Sequence, residues 1–156
     1  MNIAIQEHSQ PLIIDGKATA QTVLDEIKSE VQQMKAQGIE PCLAVVLVGD
    51  DPASHVYVRN KVEKALYVGI RSLEYRMSAD TDADTLLQKI DELNADSTVH
   101  GILVQLPLPA HIDETAVLQR IHPLKDVDGF HSENVGGPVS YTHLTLPTTP
   151  YVWVSV

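Results

Sequence analysis

The chain has 156 residues, 44% of them apolar, enough for one domain with a buried core and short for two. Eleven basic against twenty-one acidic residues leave a net charge of −10, which speaks against nucleic acid or an anionic membrane as a partner and for small molecules or proteins. No run of eighteen apolar residues occurs, MNIAIQEHSQ lacks the basic flank and apolar core of a secretory signal, and Cys42 has no second cysteine to pair with. A cytoplasmic protein with an inert core thiol is expected.

Residues 18–37 place Val23, Ile27, Val31 and Met34 at helical spacing with charged residues between them, and Gly38 stands where a helix C′ residue belongs. The run CLAVVLVG, from Cys42 to Gly49, is continuous, β-branched and too short for a buried helix, so it reads as a strand covered on both faces of a parallel sheet. After Asp50, Asp51 and Pro52 the helical period returns through Val58, Val62 and Ala65 and closes at Gly69. Residues 70–76 read as a second strand.

Thr81 with Asp84 three residues on forms a capping-box-like start for a helix whose apolar face is Leu86, Leu87, Ile90 and Leu93. His100 to Gln105 is a third strand, ended by Pro107 and Pro109, which cannot donate to a sheet ladder. Asp113 caps a short helix carrying Val117, Leu118 and Ile121 that must stop before Pro123. The βαβαβ order implies a three-layer α/β/α domain with a mainly parallel sheet. The closing stretch PVSYTHLTLPTTPYVWVSV has no charged residue yet holds the only Trp and three of nine Pro. The domain is therefore expected over residues 1–137, with 138–156 a foreign or non-native tail.

Three constellations can carry chemistry. Tyr57 and Lys61 lie four apart on one helix, so their side chains emerge on one face, about 5 to 6 Å apart at Cβ. If that face lines an apolar cleft, desolvation favours the neutral amine, which can then act as a base near pH 7; the bland alternative is a solvated lysine. The same YxxxK spacing occurs in short-chain dehydrogenases, but the glycine-rich nucleotide loop of those enzymes has no counterpart here. In VQLPLP, Gln105 stands at the carboxyl end of a strand, where open α/β sheets bind ligands, unless the segment is simply a stiff exit from the sheet.

The third constellation is KDVDGFH, Lys125 to His131. Its two aspartates lack the further oxygen ligands and closing Glu of a calcium loop, leaving an Asp–Gly turn or a carboxylate that accepts paired N–H donors from a heterocycle. His55, His100, His111, His122 and His131 form no zinc pattern, and no metal is expected.

Taken in order, ASHVYVRNK, GILVQLPLP and KDVDGFHSENVG resemble the signature blocks of the bifunctional methylenetetrahydrofolate dehydrogenase/methenyltetrahydrofolate cyclohydrolase family, and PLIIDGKATA resembles its opening. The resemblance runs from about residue 11 to Gly136 and implies the amino-terminal catalytic domain. It implies oxidation of 5,10-methylenetetrahydrofolate with NADP and hydrolysis of the methenyl product to 10-formyltetrahydrofolate. By resemblance Lys61 is the proton-moving lysine, Tyr57 stacks on the folate, and Gln105 hydrogen-bonds the lysine. Val104, Leu106 and Pro107 line the same cleft, and Asp128 grips the aminopyrimidine edge of the pterin.

There are departures. Glu63 stands where many members carry a further lysine, and the family's later cofactor motifs do not follow Gly136. The expectation is an amino-terminal fragment without the NADP-binding Rossmann domain, unable to dehydrogenate alone, monomeric or ill-defined in assembly although the parent is a homodimer. The alternative is a folate-binding module without turnover.

Overall fold

A computed structural model describes residues 15–139. Most of the expected foreign tail, and residues 11–14 of the opening block, lie outside the described residues. The elements run α1 Gly16–Ala36, β1 Cys42–Val48, α2 Pro52–Val68, β2 Arg71–Met77, α3 Ala83–Ala95, β3 Gly101–Val104, α4 Glu114–Arg120, a 3-10 turn Pro123–Lys125, and α5 Ser132–Val139. The three strands form a wholly parallel sheet in the order β2-β1-β3. β1 is the central strand, and its uninterrupted Val/Leu/Ala sequence follows from that position, because both of its faces are covered.

Alternation of side chains divides the core. Ala44, Val46 and Val48 of β1 join Ile102 and Val104 of β3, Leu86, Ile90 and Leu93 of α3, and Val117 of α4 in one buried cluster. Val45 and Leu47 turn the other way, against Leu103 of β3 and Val58 of α2. Helices thus cover both faces, the three-layer α/β/α arrangement expected from the sequence.

Aspartate caps start four helices. Asp15 accepts from Lys17 N and Ala18 N, Asp51 from Ser54 N at 2.7 Å, Asp82 from Thr85 N at 2.7 Å, and Asp113 from Thr115 N and Ala116 N. The cap of α3 is Asp82 and not Thr81, because its carboxylate takes both the amide and the hydroxyl of Thr85, leaving Asp84 in the first turn. The backbone and side-chain donors of Ser54 hold the Asp51 carboxyl below its ordinary range, and those of Thr85 do the same for Asp82.

The face expected for α1 is only partly buried. Of Val23, Ile27, Val31 and Met34, only Val31 is fully covered, because α1 rests on α2 instead of on the sheet. Polar contacts hold the two helices together: Tyr67 donates its hydroxyl to Asp25 at 2.9 Å, Gln21 donates to the Tyr67 oxygen at 2.9 Å, and the Lys28 ammonium lies 4.7 Å from the Tyr67 ring centroid. α5 occupies a stretch for which the sequence suggested no helix. No helix among the described residues is long and apolar enough to cross a membrane.

Gly69 ends α2 in the left-handed conformation, φ +92°, and an added β-carbon there would meet Val31 Cγ1 at 3.3 Å. Both the backbone and the α1–α2 contact therefore require glycine. Gly69→Ala is expected to destabilise the domain by about 1–2 kcal/mol, read as a lower urea midpoint at unchanged slope.

Candidate active site

The carboxyl ends of β1 and β3 are adjacent, and the chain leaves them for opposite faces of the sheet, to α2 and to α4 respectively. Open α/β sheets bind ligands at such a reversal. Gln105 follows directly on β3, and its amide N–H donates to the carbonyl of Val46 at 2.8 Å, so the ladder still holds its backbone. Being two residues beyond Leu103, it directs its side chain to the α2 face.

There Lys61 Nζ donates to Gln105 Oε1 at 3.3 Å, while Gln105 Nε2 donates to the carbonyl of Leu106 at 2.6 Å. The second bond fixes the amide: its N–H end is occupied by a carbonyl, so its oxygen must face the lysine. Tyr57, one turn before Lys61, is 60% exposed. Tyr57 and Lys61 line an open groove of about 450 Å³ whose other walls include Ile27, Leu43, Val68 and Leu103. The groove offers a flat aromatic ring and apolar walls to a planar ligand, and two amines, Lys61 and Lys64, of which Lys61 meets Gln105.

Two expected cleft residues, Val104 and Leu106, turn their side chains to the other cluster. Val104 is 2% exposed and packs with α3 and α4, on the opposite side of the sheet from Lys61. Leu106 also leans on that cluster, and contributes to the site through the carbonyl that holds Gln105. Pro107 is exposed. The side chain of β3 that does line the groove is Leu103, and the two-residue period counted back from Gln105 identifies it.

Asp128 is exposed and accepts no hydrogen bond among the described residues. Its loop is tied to the free edge of β3 by a parallel bridge, Asp126 to Ile102, and therefore runs toward the sheet's carboxyl end, where Gln105 lies. Gly101 permits that approach, since a β-carbon there would stand 2.6 Å from Val127 Cγ1. The Lys125 ammonium donates to the carbonyls of Leu93, Asn94 and Asp96 at 3.0, 2.8 and 2.7 Å, fastening the start of the loop to the end of α3. The sequence signal for the close approach was a glycine at the head of an otherwise apolar strand.

No group of three or more His, Cys, Asp or Glu that could hold a metal ion occurs among the described residues. The histidines serve locally: His55 Nδ1 lies 2.7 Å from Arg76 Nη1, and His131 Nδ1 accepts from Glu133 N at 3.2 Å at the start of α5.

Residues 14–128 match the model of the tetrahydrofolate dehydrogenase/cyclohydrolase catalytic domain. The chain is similar to bifunctional protein FolD 1 of Acinetobacter baylyi, 65% identical over 150 residues covering 96% of this chain and 50% of that protein. To bifunctional protein FolD 2 of Ectopseudomonas mendocina it is 64% identical over 140 residues, 90% of this chain and 46% of the relative. It thus spans about half the length of the curated relatives it matches. Among solved structures, the bifunctional methylenetetrahydrofolate dehydrogenase/cyclohydrolase of Campylobacter jejuni superposes with a TM-score of 0.78 at 50% identity, covering 79% of this chain and 44% of that one. The Trypanosoma brucei dehydrogenase-cyclohydrolase, solved with NADP cofactor and inhibitor, gives a TM-score of 0.77 at 35% identity, covering 81% and 43%.

The placement of Val104 has a measurable consequence. Val104→Ala is expected to lower stability by about 2 kcal/mol, as a core truncation does, while leaving the affinity for a reduced folate within about twofold of the parent chain's. Chemical denaturation and calorimetry with 5-formyltetrahydrofolate read the two effects separately.

Proposed function

The chain belongs to the tetrahydrofolate dehydrogenase/cyclohydrolase family, and from that premise we propose that it binds the folate substrate and carries the proton chemistry of methenyltetrahydrofolate hydrolysis. The observation that carries this is the Lys61–Gln105 contact beside Tyr57 at the mouth of an apolar groove. The pterin and its adjoining ring lie along the groove, with Tyr57 stacked on them, and Asp128 accepts paired N–H bonds from the aminopyrimidine edge.

Hydrolysis then needs three proton transfers, two of them through Lys61. The carbon between N5 and N10 of 5,10-methenyltetrahydrofolate carries positive charge and is attacked by water. The Lys61 amine takes the proton that the water loses as the new C–O bond forms. In the second step the bond from that carbon to N5 breaks as the Lys61 ammonium returns its proton to N5, and the hydroxyl on the carbon loses its remaining proton to water, leaving the formyl group on N10. Gln105, held by the Leu106 carbonyl, keeps the amine over the reacting carbon in both steps.

The Trypanosoma brucei relative binds NADP as its cofactor. The described residues do not fit a dinucleotide. Pyrophosphate binds at helix N-termini with free N–H groups, whereas α2, α3 and α4, which follow the three strands, each begin on an aspartate whose carboxylate takes those donors. A phosphate would meet like charge at all three, so these helix starts offer the dinucleotide no seat.

The test follows the loss of methenyltetrahydrofolate absorbance above its spontaneous hydrolysis. Turnover by the chain is expected to fall by about 10²-fold or more in Lys61→Ala. Equal rates in the chain and the variant would overturn the assignment of Lys61, and tight folate binding with no turnover in either would leave a binding module in its place.

A further inference from the structure

The loop that carries Asp128 is built around a different carboxylate. Asp126 is half-buried, and its Oδ1 accepts from Gly129 N at 3.1 Å while its Oδ2 accepts from His131 N at 2.8 Å and Asn134 Nδ2 at 2.9 Å. The Asn134 amide also donates to the carbonyl of Pro123 at 2.9 Å, joining α5 to the turn that precedes the loop. Gly129, at φ +70°, supplies the reversal that brings its own N–H and that of His131 back to the same carboxylate. The three charged residues of the KDVD run therefore have separate tasks. Lys125 fastens to α3, Asp126 closes the loop, and Asp128 keeps both oxygens available, accepting no hydrogen bond among the described residues.

A carboxylate that accepts two parallel N–H bonds from a planar ring has to be held to within roughly 10–20°. Asp128 is exposed, so its direction is set by the backbone beneath it. That backbone is pinned on one side by the bridge of Asp126 to Ile102 over Gly101, and on the other by the three donors gathered on Asp126. We propose that Asp126 is a positioning residue for folate recognition, acting through Asp128 by closing the 126–134 loop around its own carboxylate. The proposal rests on the reading of Asp128 as the group that holds the aminopyrimidine edge.

The test is calorimetric binding of 5-formyltetrahydrofolate and of its 2-desamino analogue to the chain, to Asp126→Ala, to Asp128→Asn and to the double variant, each checked for folding by circular dichroism. The expected result is a loss of affinity of at least about tenfold in each single variant. Both should also lose the preference for the ligand that keeps its 2-amino group, and the double variant should bind no more weakly than Asp128→Asn. If Asp126→Ala does not fold, Asn134→Ala removes one donor and leaves the other two; it should weaken binding about threefold with the same loss of preference. Wild-type affinity and preference in Asp126→Ala, or additive losses in the double variant, would overturn the role of Asp126 alone. Unchanged binding in Asp128→Asn, or no binding by the parent chain, would overturn the reading of Asp128 and the proposal with it.

Discussion

Side chains of a strand buried on both faces must alternate, and β3 sits against the central strand with no freedom to shift its register. Slipping β3 by one residue would exchange Ile102 and Val104 for Leu103 and would turn Gln105 away from α2. The hydrophobic cost of burying the wrong set therefore holds an uncharged polar side chain at the one place where a helix presents Lys61. The backbone bond from Gln105 to Val46, and the bond from its side chain to the Leu106 carbonyl, extend that order one residue past the strand. Position and orientation of the amide both come from the sheet.

Electrostatics divides the same end of the sheet into different tasks. Aspartates occupy the starts of α2, α3 and α4, which stabilises those helices and makes their N-termini unsuited to phosphate. The groove along α2 is instead mostly apolar, with Lys61 on its wall. A flat, largely apolar ring system suits such a surface through stacking on Tyr57 and contact with the apolar walls. The proposed division of labour follows: this layer binds and protonates the folate, and Asp128, on a loop strapped to β3, reads its polar edge.

Much of this was legible in the sequence because each signal had a local cause. The unbroken apolar run of β1 indicated a strand covered twice, and Gly38 and Gly69 marked helix ends that the backbone then required. Tyr57 and Lys61 were readable as neighbours from helical period, and Gln105 from its place at a strand end. What was not legible depended on which face each residue took. The resemblance puts Val104 in the cleft with Gln105, although adjacent strand residues point apart. The role of Asp126 beside Asp128 has no sequence pattern, because its partners, Gly129, His131 and Asn134, are backbone and amide donors. The exposed flank of α1 was hidden too, since periodicity shows an apolar face but not how far a neighbouring helix covers it.

The central claim is that one ligand spans Lys61 and Asp128 along the α2 face of the sheet. A crystal structure of the chain with 5-formyltetrahydrofolate tests it most directly. The account predicts the pterin edge on the Asp128 carboxylate, the ring system against Tyr57, and the N5 substituent within hydrogen-bond reach of Lys61 Nζ. A ligand seated on the α3–α4 side of the sheet, or one that leaves Lys61 and Asp128 untouched, would contradict it.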